Sequence, residues 1–466
     1  MSPPPQATVI AKPRPASRLA LPESADLIGP TVNRLAWPVI LENLFQTALG
    51  TANMIMVARL GASAIAGVGT AIQVIFVLQA AFAAVTTGTT VLIARFIGAR
   101  QEGEASLVAK QSLILGAFIS VLFAVLGFFF SDWAIAALGA EPDVVQLGGS
   151  YLRITSVASI TMVYMFIIGG ALRGAGDTRT PMVVTGLINV VNIVASYLLI
   201  FGKLGLPALG VPGAAWAAVA SRALGALALL WLVARDDAAV SIRGWQGWKP
   251  DLPMTWRISR LGLPSMLEQL AMSGGMLVYG VIAIGLGTVV YATQRVTFQA
   301  LSFSFMPGFG FAMAATTMVG QCLGAGRPEL SERATWHAVR MAVVWMTGMG
   351  IAMAVFGQPM MRIFTDDPEM IAIGADSLTV IAFSQPFMAA GMVLAGSLRG
   401  AGDTRFPMYT TFLGIWLIRL PLGYLFGPVL GYGLSGIYAS NVLDGVARAA
   451  AAILRYRSGN WRSIEV

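Results

Sequence analysis

The sequence predicts an all-α polytopic membrane protein with twelve transmembrane helices in two six-helix bundles related by an internal repeat. Three observations predict it. The 466 residues are 56% hydrophobic and only 11% charged, with mean hydropathy +0.74, whereas soluble domains carry about 25% charged residues. Apolar stretches long enough to cross a hydrocarbon core of about 30 Å alternate with short Gly, Pro or charge clusters. An eight-residue segment also recurs almost halfway along the chain.

Residues 1–30 hold seven prolines with Lys12, Arg14 and Arg18 and no long apolar run. They read as a flexible, Pro-rich cytoplasmic tail and not as a cleavable signal peptide. Helices are then expected near 35–58, 64–97, 107–130, 148–172, 182–201 and 209–234, which places an N-terminal lobe over 31–234. The longest polar interruption, 235–260, contains Trp245, Trp248 and Pro250 and is expected to be a cytoplasmic linker. A C-terminal lobe over 261–457 follows, with helices near 261–286, 290–322, 336–357, 371–397, 407–427 and 433–456. Residues 458–466 form a short cytoplasmic tail.

Charge supplies the orientation, because arginine and lysine collect in short cytoplasmic loops. With cytoplasmic termini, most of the 30 basic residues fall on that side, and the opposite loops keep only Arg59, Lys203 and Arg362 beside Asp132, Glu141, Asp143, Asp366, Asp367 and Glu369. The expected location is the inner cell membrane. The same asymmetry accounts for the net charge of +8 without nucleic acid.

The repeat is the most specific signal. Leu172-Arg173-Gly174-Ala175-Gly176-Asp177-Thr178-Arg179 returns as Leu398-Arg399-Gly400-Ala401-Gly402-Asp403-Thr404-Arg405. The same displacement of 226 residues relates Pro38 to Pro264, Glu42 to Glu268, Gly61 to Gly287, Pro142 to Pro368 and Pro181 to Pro407. An even number of spans per half returns each half to the same side, so the halves are related by an axis along the membrane normal, a known transporter plan. The octamer reads either as a hinge or as a tight glycine turn whose Asp and Arg pair locally.

These residues resemble a known family. The paired L-R-G-A-G-D-T-R-x-P-M loops, the first-helix run Pro38-Val-Ile-Leu-Glu42-Asn43, the helix ends Gly98-Ala99-Arg100 and Gly324-Ala325-Gly326-Arg327, and the opening Gly262-Leu263-Pro264 are similar to those of the multidrug and toxic compound extrusion (MATE) family, over about residues 30–456. The resemblance implies two lobes around a central cavity and cation-coupled export of amphipathic, often cationic, compounds. Two positions depart from the family pattern. Ala52-Asn53-Met54 stands where many members have an Asp in a V-D-T stretch, and Ser196 stands four residues after Asn192 where part of the family has an Asp. An amide cannot carry a proton, so coupling is expected from other groups.

Ionisable side chains deep in a span are functional candidates. Glu42 and Glu268 are expected on corresponding faces of the central cavity, as the groups that bind substrate and couple to H+ or Na+; the alternative is that each only accepts hydrogen bonds from Asn43, Gln269 or helix ends. Gln46 and Asn53 share a stripe with Glu42 at 100° per residue, and Met272 and Tyr279 match them beside Glu268. Together these six residues form the expected substrate site, suited to a bulky cation. Asn189, Asn192 and Ser196 share a face of helix 5, for substrate or for interhelical hydrogen bonds. Asp444 and Arg448 are expected to pair, Arg419 to pair across helices or meet substrate, and Pro307 with Gly308 and Gly310, and Pro386, to bend their spans. His337 is expected at the surface and Cys322 in packing. One Cys and one His exclude a disulfide framework, a thiolate cluster and a histidine-rich metal site. No cofactor beyond the coupling ion is expected.

The function expected is a monomeric secondary antiporter embedded in the bilayer, exporting small amphipathic or cationic compounds. The alternatives are a flippase for a lipid-linked precursor and, remotely, an intramembrane enzyme, for which a catalytic His, metal motif or paired Asp is missing.

Overall fold

A computed structural model describes residues 25–235 and 240–465. The expected tail therefore lies outside the described residues up to position 24. Twelve spans follow: α1 Ile28–Ala58, α2 Ala62–Gly98, α3 Glu102–Ala136, α4 in two pieces (Pro142–Val157 and Ser159–Gly174), α5 Arg179–Phe201 and α6 Val211–Val233, then α7 Leu252–Gly285, α8 Thr288–Gly324, α9 Pro328–Val355, α10 in two pieces (Pro368–Ala382 and Gln385–Gly400), α11 Arg405–Val429 and α12 Gly433–Arg457. Eight of these are each long and apolar enough to cross a bilayer, and each bent pair adds one more. The other two, α1 and α8, are 31 and 37 residues long but more polar.

Helix α7 starts at Leu252 and not near 261, because Asp251 caps it by accepting the amide of Met254 at 3.1 Å. Residues 243–249 of the linker are strapped to α3. Lys110 Nζ donates to the carbonyls of Arg243, Gly244 and Gln246, and Gln111 Nε2 donates to those of Gly247 and Lys249.

Proline accompanies much of the irregularity, at one of the two expected places, Pro386, and at others not expected. Helix α9 stops at Val355, four residues before Pro359, which has no N–H to offer that carbonyl, and a short helix Gly357–Arg362 follows. In α11, π-helical turns at Gly414–Arg419 and Leu425–Val429 absorb Pro421 and Pro428. Pro307, by contrast, sits inside an uninterrupted α8. Both α4 and α10 bend by 54° at equivalent places, after Val157 and after Ala382. Only α10 has a proline there, Pro386. The residue at the matching place in α4 is Ile160.

The lobes interlock. The first half of α1 (Ile28, Val32, Leu35, Ala36, Ile40) is buried in a core with α8, α9, α10 and α12, while the start of α7 (Met254, Ile258, Leu261) is buried in the core of α2 to α6. Each lobe thus inserts the beginning of its first helix into the other. Glycines permit this contact. A Cβ at Gly262 would strike the carbonyl of Ala84, and one at the equivalent pair, Gly310, would crowd that of Ala36. Gly98 lies against the carbonyl of Gln321, and Gly324 against that of Arg95. His337, expected at the surface, is instead half-buried against Gly29 of α1. Cys322 is fully buried in the same core.

Candidate functional site

Glu42 and Glu268 occupy matching surroundings. Arg173 Nη1 lies 3.0 and 3.2 Å from the two oxygens of Glu42, and Thr185 Oγ1 donates to Oε1 at 3.3 Å. In the second lobe Arg399 Nη2 donates to Glu268 Oε1 at 2.7 Å, and Thr411 Oγ1 donates to the same oxygen at 3.0 Å. Both carboxylates are buried, at 8% and 7% exposure. The arginines come from the repeated octamer, one of whose two readings paired its own Asp and Arg. Instead Arg173 and Arg399 reach back to the first helix of their lobe, Asp177 binds Thr180 through its amide and hydroxyl, and Asp403 pairs with Arg455 at 2.8 Å. Gly176 and Gly402, both at φ +92°, turn the chain so that the helix before each can end there.

The expected placement of both glutamates on the walls of a central cavity needs correction. The face of α1 toward the other lobe carries Gly29, Ala36, Ile40 and Thr47, and at 100° per residue Glu42 lies about 120–160° around from the last three. Of the stripe Glu42, Gln46 and Asn53, Glu42 and Asn53 turn into their own lobe, toward α5. There Asn53 Nδ2 donates to Asn192 Oδ1 at 3.0 Å, Ser196 Oγ donates to the same oxygen, and Asn192 Nδ2 donates to Ser221 Oγ at 2.9 Å. Asn189 joins the same buried face, but its Nδ2 has no partner; it lines an open groove of about 420 Å³ between α1 and α5 with Phe45, Leu49, Leu187 and Val190. Gln46 is exposed. On α7, Met272 is 38% exposed, and Tyr279 donates to the carbonyl of Ile437 and accepts from Asn441.

Asp444 pairs with both candidates at once: Arg419 Nη2 at 2.6 Å and Arg448 Nη2 at 3.0 Å. The π-turn ending at Arg419 and the absence of a side chain at Gly414 make room for this cluster.

Close contacts between the lobes run along their arginine-rich half and include those of Thr47 on α1, Ala84 on α2, Gly262 on α7 and Met306 on α8. Beyond that level the same faces of α2 and α8 continue with Gln73, Gln299 and Arg295, all exposed and within about 60° of the contact residues. Sequence reading passed over these three, as it passed over Thr185 and Thr411, and it kept Arg173 and Arg399 in the loop. The signal was the same spacing of 226 residues, which also links Gln73 to Gln299 and Arg222 to Arg448.

Comparison with known proteins agrees with this geometry. The MatE family model matches residues 38–198 and again 264–425, once per lobe. A probable multidrug resistance protein NorM of Thermotoga maritima is 34% identical over 433 residues, covering 92% of each chain. The uncharacterized transporter YisQ of Bacillus subtilis is 29% identical over 437 residues, 92% of this chain and 94% of that one. Among solved structures, a MATE protein in its straight conformation superposes with TM-score 0.87 at 26% identity, over 96% of this chain and 100% of that one. An outward-facing multidrug resistance MATE family transporter gives the same TM-score at 25% identity and the same coverage. With two copies of the family model set on two interlocked six-helix lobes, the chain belongs to the MATE family of membrane transporters.

Proposed function

We propose that this chain is a secondary active exporter that expels organic cations and amphipathic drugs in exchange for protons or sodium ions, by alternating access across the inner membrane. The carrying observation is that the lobes meet closely at their arginine-rich ends, while Gln73, Gln299 and Arg295, further along the same faces of α2 and α8, are exposed, as the lining of a cleft would be. With the arginine-rich end in the cytoplasm, that cleft opens outward. The names of relatives, NorM and the multidrug resistance protein MdtK of Yersinia pestis, support a drug cargo.

Coupling is assigned to Glu42 and Glu268. Each carboxylate holds an arginine, and Arg173 sits at the seal: its carbonyl accepts from Thr317 and the next carbonyl, Gly174, accepts from Gln321 of the opposite lobe. A proton or sodium ion on Glu42 frees Arg173 and loosens that seal. Asn53, Asn192 and Ser196 serve as a neutral brace in this reading. The flippase alternative asks for a strongly basic cleft, and the groups facing it here are two amides and one arginine.

The test is efflux of a fluorescent lipophilic cation from proteoliposomes under a proton gradient and then a sodium gradient. One gradient should drive efflux by the wild type, and Glu42→Gln or Glu268→Gln should uncouple it. Equal pumping by both variants would remove the glutamates from the mechanism, and no transport by the wild type would remove the exporter reading.

A further inference from the structure

The interior of the C-terminal lobe carries more positive than negative charge. Arg399 and Glu268 form one pair, while Arg419 and Arg448 share the single carboxylate of Asp444, which is fully buried. Glu268 also acts electrostatically on Arg448, so five charged groups form one cluster of three arginines and two carboxylates. The acids of the neighbouring span α10, Glu369 and Asp376, are both exposed. The cluster faces inward. On α12, Asn441, Asp444 and Arg448 lie roughly 100–160° around from the exposed Leu443 and Val446, outside a stripe that would meet lipid.

Bonding within the cluster is incomplete. Arg419 reaches one oxygen of Asp444, Oδ2, through Nε at 2.9 Å and Nη2 at 2.6 Å, and Arg448 reaches the same oxygen through Nη2 at 3.0 Å. Asp444 Oδ1, Asn441 Oδ1 and Arg448 Nε are buried without partners. The two arginine side chains keep about a quarter of their surface accessible, at 24% and 25%, although the carboxylate between them has none. An uncompensated charge at this depth is costly, and a planar fork of donors matches a carboxylate or similar monoanion.

We propose that Arg419 and Arg448 form a monoanion subsite in the C-terminal lobe, with Asp444 as the fixed anchor that holds both guanidiniums in place. The ligand is a single negative group, supplied either by the carboxylate of a zwitterionic amphipath or by chloride. The substrate half of this proposal rests on the exporter reading; the anion site itself does not. Cargo would then be sorted by two features, a cationic or aromatic body and an anionic end.

The test uses purified full-length protein and two dyes that differ at one group: rhodamine 110, with a free carboxylate, and rhodamine 123, its methyl ester. Binding is read by fluorescence anisotropy. Arg448→Gln leaves Arg419 and Asp444 as a neutral pair, so it should weaken rhodamine 110 by about tenfold or more while rhodamine 123 stays within about twofold. Arg448→Lys should recover part of the loss. Chloride is tested separately against isethionate at constant ionic strength: stabilisation of the wild type but not of Arg448→Gln in a thermal melt assigns the site to the inorganic ion. If neither dye binds but that chloride difference persists, the anion site stands and the drug reading falls. Equal weakening of both dyes by Arg448→Gln, or no effect on rhodamine 110 together with no variant-dependent chloride effect, overturns the subsite.

Discussion

The carbonyl oxygen of Arg173 accepts a hydrogen bond of 3.0 Å from Thr317 of the opposite lobe, while the guanidinium of the same residue holds Glu42. One residue therefore joins a buried ion pair within the N-terminal lobe to the seal between lobes.

Breaking that pair from one side should be expensive. Glu42→Gln leaves Arg173 buried without a counter-charge, which costs about 3–5 kcal/mol, whereas Glu42→Gln with Arg173→Met removes both charges and should recover most of it. A melting series on the two single variants and the double variant measures the coupling. The double variant should be more stable than either single; additive losses would show that the pair contributes nothing as a unit.

The glycines of the seal make a sharper claim about symmetry. Gly98 and Gly324 face each other's lobe through equivalent carbonyls, of Gln321 and Arg95, with no room for a methyl group. Gly98→Ala and Gly324→Ala should each push the lobes apart at the arginine-rich end. Disulfide trapping of cysteines placed across this seal should slow in both variants, and by similar amounts. A change in one alone would break the proposed equivalence.

How much of this was legible from sequence depends on what a repeat encodes. The offset of 226 residues located the bundles, the paired octamers and both glutamates before any coordinate was known. Arg173 and Arg399 were visible too, but they were read as loop charges, because a one-dimensional boundary puts them at a turn while their long side chains reach back to the first helix. Of the stripe Glu42, Gln46 and Asn53, the first and last bond within their own lobe while Gln46 is exposed. Periodicity says which residues share a face; only packing decides which neighbour that face meets. Nor could hydropathy show that α1 and α7 exchange their first halves, since Leu35 and Ile258 are equally apolar in either core.

The Asn53 amide tests whether this stripe braces the lobe. Its Nδ2 is a donor to Asn192 Oδ1, so Asn53→Ala should cost about 1–2 kcal/mol, as expected when a largely buried polar group loses a partner. Asn192→Ala should cost more, because it also removes the acceptor of Ser196 and the donor to Ser221. Thermal melts that rank the two in the reverse order would contradict the network.

Lys110 offers a local readout. It is 5% exposed, and its ammonium group binds three linker carbonyls at 2.7–3.2 Å. Lys110→Met keeps the length of the side chain and removes every one of those bonds. The strap around residues 243–250 should then become a protease cleavage site, with the helices on either side still protected. Unchanged proteolysis would mean that Gln111 alone holds the strap.

The bends in α4 and α10 separate cause from accommodation. Both are 54° and fall at equivalent positions, yet only α10 places a proline, Pro386, just after the break. A helix bent by the same angle with no proline at its break shows that packing within each lobe sets the bend, and that Pro386 occupies the first turn of the following helix, where a missing N–H costs nothing. Pro386→Ala should therefore keep the angle, with a stability change within about 1 kcal/mol. Spin labels on either side of the break in α10 should report the same distance in the variant as in the wild type. A straightened α10 would instead make the proline the cause, and would require a different origin for the bend in α4.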